Sequence, residues 1–135
     1  MKRIVIYIVF IALLASCTQN DGRIGSIFGK WQLREIQIGD NNVACDHVFY
    51  SFQSNIVQLR RLHSDYGVEW FTGFFTHTDD ELLLEIKNCN NKWYIREFFF
   101  LPDTTVLFKV EELDGKKMTL RDSDNVIYRL RRFGP

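Results

Sequence analysis

No segment of this sequence is apolar for long enough to cross a bilayer as a helix. The N-terminal apolar run Ile4–Leu14 has eleven residues, a helical rise of about 16 Å against a hydrocarbon core of roughly 30 Å. Charge of one sign is also lacking, since 17 basic residues balance 17 acidic ones. The basic residues are scattered apart from Arg129, Arg131 and Arg132, so the concentrated positive field that tracks nucleic acid is missing. Only two prolines occur, and no stretch sustains helical periodicity beyond about ten residues, which argues against a helix bundle. G-x-S-x-G, P-loop, H-E-x-x-H, dinucleotide and EF-hand patterns are all absent, and with them the chemistry each serves. The three histidines, His47, His63 and His77, fall in separate predicted strands or strand ends. Asp79, Asp80 and Glu81 are consecutive and so point to alternating faces of a strand, and Asp122-x-Asp124 lacks the glycine and distal glutamate of a calcium loop. The expectation is a protein that is not an enzyme and takes neither cofactor nor metal.

What the N-terminus does have is an address. Lys2 and Arg3 precede the apolar run, and Leu14-Ala15-Ser16-Cys17 offers small residues at a cleavage point, the layout of a secretory signal. These four residues resemble the lipobox of the bacterial lipoprotein family, in which the cysteine is diacylated and becomes the mature N-terminus. The resemblance implies a signal peptide over 1–16, lipid attachment at Cys17, and a membrane partner reached through the lipid. It implies a place in the bacterial cell envelope, at the outer membrane where the organism has one. Residues 17–26 then form the lipidated cysteine and its tether, Thr18–Ser26 being polar, glycine-containing and aperiodic. Losing Lys2 and Arg3 leaves 15 basic against 17 acidic residues, a formal charge of −2.

The remaining cysteines, Cys45 and Cys89, admit one disulfide, which an exported protein can form. Two buried free thiols are an equally ordinary outcome. Cys45-Asp46-His47 lacks the third and fourth ligands of a structural zinc site.

From Ile27 to Pro135 the pattern is strand, turn, strand. Leu82, Leu84 and Ile86 alternate with Glu81, Leu83, Glu85 and Lys87; Val106, Phe108 and Val110 oppose Lys109 and Glu111. Asp114-Gly115 marks a hairpin turn. Further strands are expected near 29–38, 47–53, 56–62, 68–77, 117–122 and 126–133, with turns at 39–42, 54–55, 64–67, 78–80, 88–91 and 122–125. Residues 92–101 (KWYIREFFFL) read either as a strand or as a short helix over one end. About eight strands at roughly ten-residue spacing predict an all-β fold, a small closed or nearly closed antiparallel up-and-down barrel.

The first strand opens Phe28-Gly29-Lys30-Trp31 and the last ends Tyr128-Arg-Leu-Arg-Arg-Phe133. Gly-x-Trp at the start of such a chain is similar to the motif of lipocalins, and a lipocalin-like domain over 27–135 is what the resemblance implies. It also implies that Gly29 and Trp31 close one end of the barrel with a basic side chain across the indole. Arg132 is the expected partner because it shares parity with Tyr128 and Leu130. The T-D-Y-x-x-Y signature of ligand-carrying lipocalins is missing.

Twelve phenylalanines, five tyrosines and three tryptophans are many for so narrow a barrel. One reading is a lumen for a small hydrophobic ligand lined by Tyr50, Phe52, Trp70, Phe74, Leu84 and Phe108. The other is a filled barrel whose exposed aromatics dock onto another cell-envelope protein. A void of several hundred Å³ inside the barrel would favour the ligand, a packed interior the partner.

Overall fold

A computed structural model describes residues 27–62, 68–89 and 91–134. The signal peptide, Cys17 with its tether, His63 and the turn expected at 64–67 lie outside the described residues. The strands are β1 (Gly29–Ile38), β2 (Asn41–Ala44), β3 (Val48–Gln53), β4 (Ile56–Leu62), β5 (Val68–Thr78) and β6 (Glu81–Ile86). After the helix α1 (Lys92–Phe99) come β7 (Thr105–Leu113), β8 (Lys117–Arg121) and β9 (Ile127–Arg132). All pairings are antiparallel between neighbours, and β9 returns to β1. Eight strands thus close a barrel, and β2 is a ninth that pairs with the outer half of β1.

Alternation makes the core. Val57 and Leu59 of β4, Leu82, Leu84 and Ile86 of β6, Val106 and Phe108 of β7, and Met118 and Leu120 of β8 all point inward and are buried. Two bulges interrupt the period. One lies between Leu33 and Glu35 in the β1–β9 ladder, so the buried series of β1 runs Trp31, Leu33, Ile36 rather than by strict twos. The other lies between Val110 and Glu112 in β7.

The structure adds to the sequence reading at two places. The turn expected over 39–42 is only Gly39-Asp40, with Gly39 at φ +60°, and Asn41–Ala44 pairs back on β1 as β2. Residues 92–99 form the helix rather than a strand. Asn91 caps it, its side chain accepting from the Trp93 N–H at 3.0 Å, and Phe100 ends it in the left-handed conformation at φ +64°.

The barrel has two distinct ends. At the near end lie the start of β1 and the β3–β4, β5–β6 and β7–β8 turns. At the far end lie α1, the β1–β2 hairpin and the β8–β9 turn.

Candidate functional site

Trp31 sits inward at the near end with no exposed surface, and its indole N–H donates to the Ile27 carbonyl at 2.9 Å. The Arg132 guanidinium lies over this indole, 4.3 Å from ring centre to Cζ. It is held there by donation from Nε to the Gly115 carbonyl (2.8 Å) and from Nη1 to the Phe28 carbonyl (2.6 Å). Gly29 makes room for this arrangement: its φ is +122°, and a Cβ there would come within 2.5 Å of Arg132 Nη1. Glycine, tryptophan and arginine therefore meet in one stack. Trp31→Ala is expected to lower unfolding free energy by about 3–5 kcal/mol through the cavity it leaves, and Arg132→Ala by roughly 1–3 kcal/mol through the lost cation–π contact and carbonyl bonds. Urea unfolding of the two variants checks both.

The far end is closed by α1. Ile95 and Phe99 of its inner face are buried, Phe99 stacks edge-on with Phe71 at 5.5 Å, and Arg61 lies 4.2 Å from the Phe98 ring centre. Two tyrosines from inside the barrel hold the helix terminus. The Tyr50 hydroxyl donates to the Phe99 carbonyl at 2.8 Å. The Tyr128 hydroxyl faces both the Phe100 carbonyl (2.6 Å) and Asp122 Oδ2 (3.1 Å). Asp122, the one buried charged residue among those described, accepts the Asp124 and Val126 N–H groups through its other oxygen. Burial pushes both tyrosine hydroxyls well above their ordinary pKa, for Tyr128 with help from Tyr50 and Asp122, so both remain donors. This clamp escaped the sequence reading, in which Asp122 was only a turn residue; a helix had first to be placed above it.

Between the two ends the interior is filled. Tyr50, Phe52, Leu84 and Phe108 point inward with 0–1% of their surface exposed, as do Trp31 and Tyr128. Phe52 meets Phe75 at 5.0 Å and Phe108 meets Tyr128 at 5.2 Å, both edge to face. Trp70 and Phe74, expected among the lining residues, do not line the interior: they are 56% and 47% exposed on the outer wall. The reason is parity. Gly73 and Phe75 are the buried inward positions of β5 with Phe71 partly buried beside them, which turns the even-numbered residues outward. The cysteines do not pair; Cys45 is a buried free thiol, and the Cys89 thiol donates to the Asn91 carbonyl at 3.1 Å.

His47 and His77 stand at opposite ends of the barrel, His47 beside Asp46 at 3.4 Å and His77 near the β5–β6 turn. Among the described residues no three histidine, cysteine or acidic side chains converge. A shallow groove of about 370 Å³ lies outside the barrel, walled by Ser51, Gln53, Ser54, Ile56, Gln58 and Thr72.

The outer wall of β4–β7 carries an apolar band. Ile56 lies directly opposite Phe74, and Leu83 directly opposite Leu107. Phe74 and Leu83 are diagonal neighbours through Thr76. Ile56, Phe74 and Leu107 are exposed, as is Trp70 further along β5. Four strands are crossed, a width of about 14 Å.

Residues 12–133 match the family described as lipocalin-like domain, and residues 1–18 match a prokaryotic membrane lipoprotein lipid attachment site. Among solved structures, a lipocalin-like protein from Bacteroides uniformis is 30% identical, with a TM-score of 0.72 over 81% of this chain and 100% of the other. An uncharacterized protein from Bacteroides eggerthii is 29% identical, with a TM-score of 0.69 over 79% of this chain and 99% of that one. Among curated proteins no relative matches. With the closed eight-strand barrel and the attachment site together, the chain belongs to the lipocalin-like domain family and is a lipid-anchored lipoprotein of the bacterial envelope.

Proposed function

We propose that this lipoprotein is a non-enzymatic interaction module, a filled barrel that docks onto another protein of the cell envelope through the outer face of β4–β7, at the outer membrane in a cell that has one. The carrying observation is the packed interior, where Trp31, Tyr50, Phe52, Leu84, Phe108 and Tyr128 leave 0–1% of their surface exposed. A small hydrophobic ligand held inside would have to displace several of these rings, each contributing about 1.5–3 kcal/mol by its burial. It would also have to break the two tyrosine bonds to the helix terminus. The aromatic surplus is spent outside as well. Ile56, Phe74 and Leu107 lie in one band joined through Leu83, with Trp70 exposed further along β5, and a band rather than scattered apolar residues is what an interface requires.

The test places a photo-crosslinking residue at position 74 in the intact cell, with position 129 on the far wall as reference. A discrete adduct at 74 that is absent at 129, and lost on Trp70→Ala, is expected. Native mass spectrometry of the purified protein supplies the opposing outcome. A co-purifying mass of a few hundred daltons, with no adduct at 74, would replace the docking module by a carrier of a small hydrophobic ligand.

A further inference from the structure

The lipid and the fold share an end. Cys17 lies ten residues before Ile27, and the described chain enters β1 at the near end. Ten residues reach at most about 35 Å, so the barrel stays within that distance of the bilayer and is joined to it through its near end.

That end is not electrically uniform. Lys117 and Arg131 are directly opposite each other on the outer faces of β8 and β9, an arrangement of like charges that costs stability in isolation. Lys116 is exposed in the adjoining turn. Lys30, on the next strand round, rests between the Phe49 and Phe133 rings at 4.8 Å from each centre. Among the described residues none of these four cations forms an ion pair. The one acid of the turn, Asp114, turns its carboxylate to the Lys116 and Lys117 backbone N–H groups at 2.7 Å. Phe133 is exposed on the same rim, whereas the exposed Phe28 leans its ring toward Phe75 of β5, 6.2 Å between centres. Diametrically across the barrel, the β5–β6 turn presents Asp79, Asp80 and Glu81, all exposed.

We propose that the β8–β9–β1 rim, with Lys30, Lys116, Lys117 and Arg131 around Phe133, is a contact surface for the acidic phospholipid headgroups of the membrane that carries the anchor. An anionic surface attracts basic residues within a Debye length of about 10 Å, and aromatic rings settle at the headgroup boundary. The acidic turn opposite is repelled by the same surface, so the barrel tilts onto one rim. The tilt turns the β4–β7 wall away from the bilayer. It also supplies the second attachment, beside the acyl chains, that a stable peripheral orientation uses.

The test uses the mature lipidated protein reconstituted into vesicles of phosphatidylcholine, with or without phosphatidylglycerol. Lysines are acetylated briefly and read by mass spectrometry. Acetylation of Lys116 and Lys117 should slow several-fold when phosphatidylglycerol is present, while Lys109, near the acidic side, and Lys87 and Lys92, toward the far end, react at unchanged rates. High salt and the double variant Lys30→Glu, Arg131→Glu should each abolish the protection, with circular dichroism showing the variant folded. Equal rates at Lys116 and Lys117 in both vesicles would overturn the proposal, as would protection spread evenly over all five lysines.

Discussion

Gly73→Ala should lower the melting temperature of the barrel by more than about 10 °C, although it adds only one methyl group. Gly73 is an inward position in the middle of β5, paired with Val57 on one side and Ile86 on the other. A Cβ there would stand 2.7 Å from the Glu85 carbonyl carbon and the Ile86 Cα, and closer still to the Glu85 carbonyl oxygen. All three are backbone atoms, so no rotamer change relieves the clash and β6 must move as a unit. Moving it strains the Lys87 N–H bond to the Thr72 carbonyl (3.0 Å) and the Ile86 N–H bond to the Thr104 carbonyl (2.8 Å). Overpacking with lost ladder bonds comes to at least about 3 kcal/mol, a fall in melting temperature of more than about 10 °C for a domain of this size. Gly115→Ala is the matched control, because a Cβ at Gly115 meets nothing within 4 Å, and its melting temperature should be unchanged. Equal melting of the two variants would mean that the β5–β6 approach is looser than described.

The same residue shows why the outer wall was hard to read. The β5 sequence, VEWFTGFFTHT, has aromatic residues at both parities, so alternation offers two equally apolar faces and cannot choose between them. The choice belongs to Gly73, whose close approach to β6 is a tertiary fact, and placing Trp70 and Phe74 inward followed the wrong face. Where one parity is mostly polar the reading was unambiguous, as in β6, with Leu82, Leu84 and Ile86 buried and Glu81 and Lys87 exposed around Leu83. The number of barrel strands followed from turn spacing alone. β2 did not, because Asn41 and Asn42 are turn formers locally and pair only because the closed barrel leaves the outer half of β1 a free edge. The helix over 92–99 stayed ambiguous for a related reason. An eight-residue helix is marginal alone, and this one persists through Ile95 and Phe99 packed on the barrel. Its C-terminal carbonyls are bonded by tyrosines 49 and 28 residues away.

Those two tyrosines set the alkaline limit of the fold. Burial raises both hydroxyls well above the ordinary tyrosine value, whereas in the unfolded chain they ionise near pH 10. Between those limits the native state keeps protons that the unfolded state has lost. Their contribution is therefore complete below about pH 10 and falls as pH rises, by about 1.4 kcal/mol per unit for each hydroxyl. Two units above that point the pair removes about 5 kcal/mol, comparable to the whole stability of many domains. Urea midpoints across this range should fall steeply, with tyrosinate absorbance from Tyr50 and Tyr128 rising only as the chain unfolds. Tyr50→Phe leaves the Phe99 carbonyl without its hydroxyl donor and should cost roughly 1–2 kcal/mol at neutral pH. It should also remove one hydroxyl's share of the alkaline slope, and lysine deprotonation, common to both proteins, drops out of that difference. Ionisation of both hydroxyls near pH 10 without loss of structure would mean that neither is buried against the helix terminus, and the far end of the barrel would then be open rather than capped.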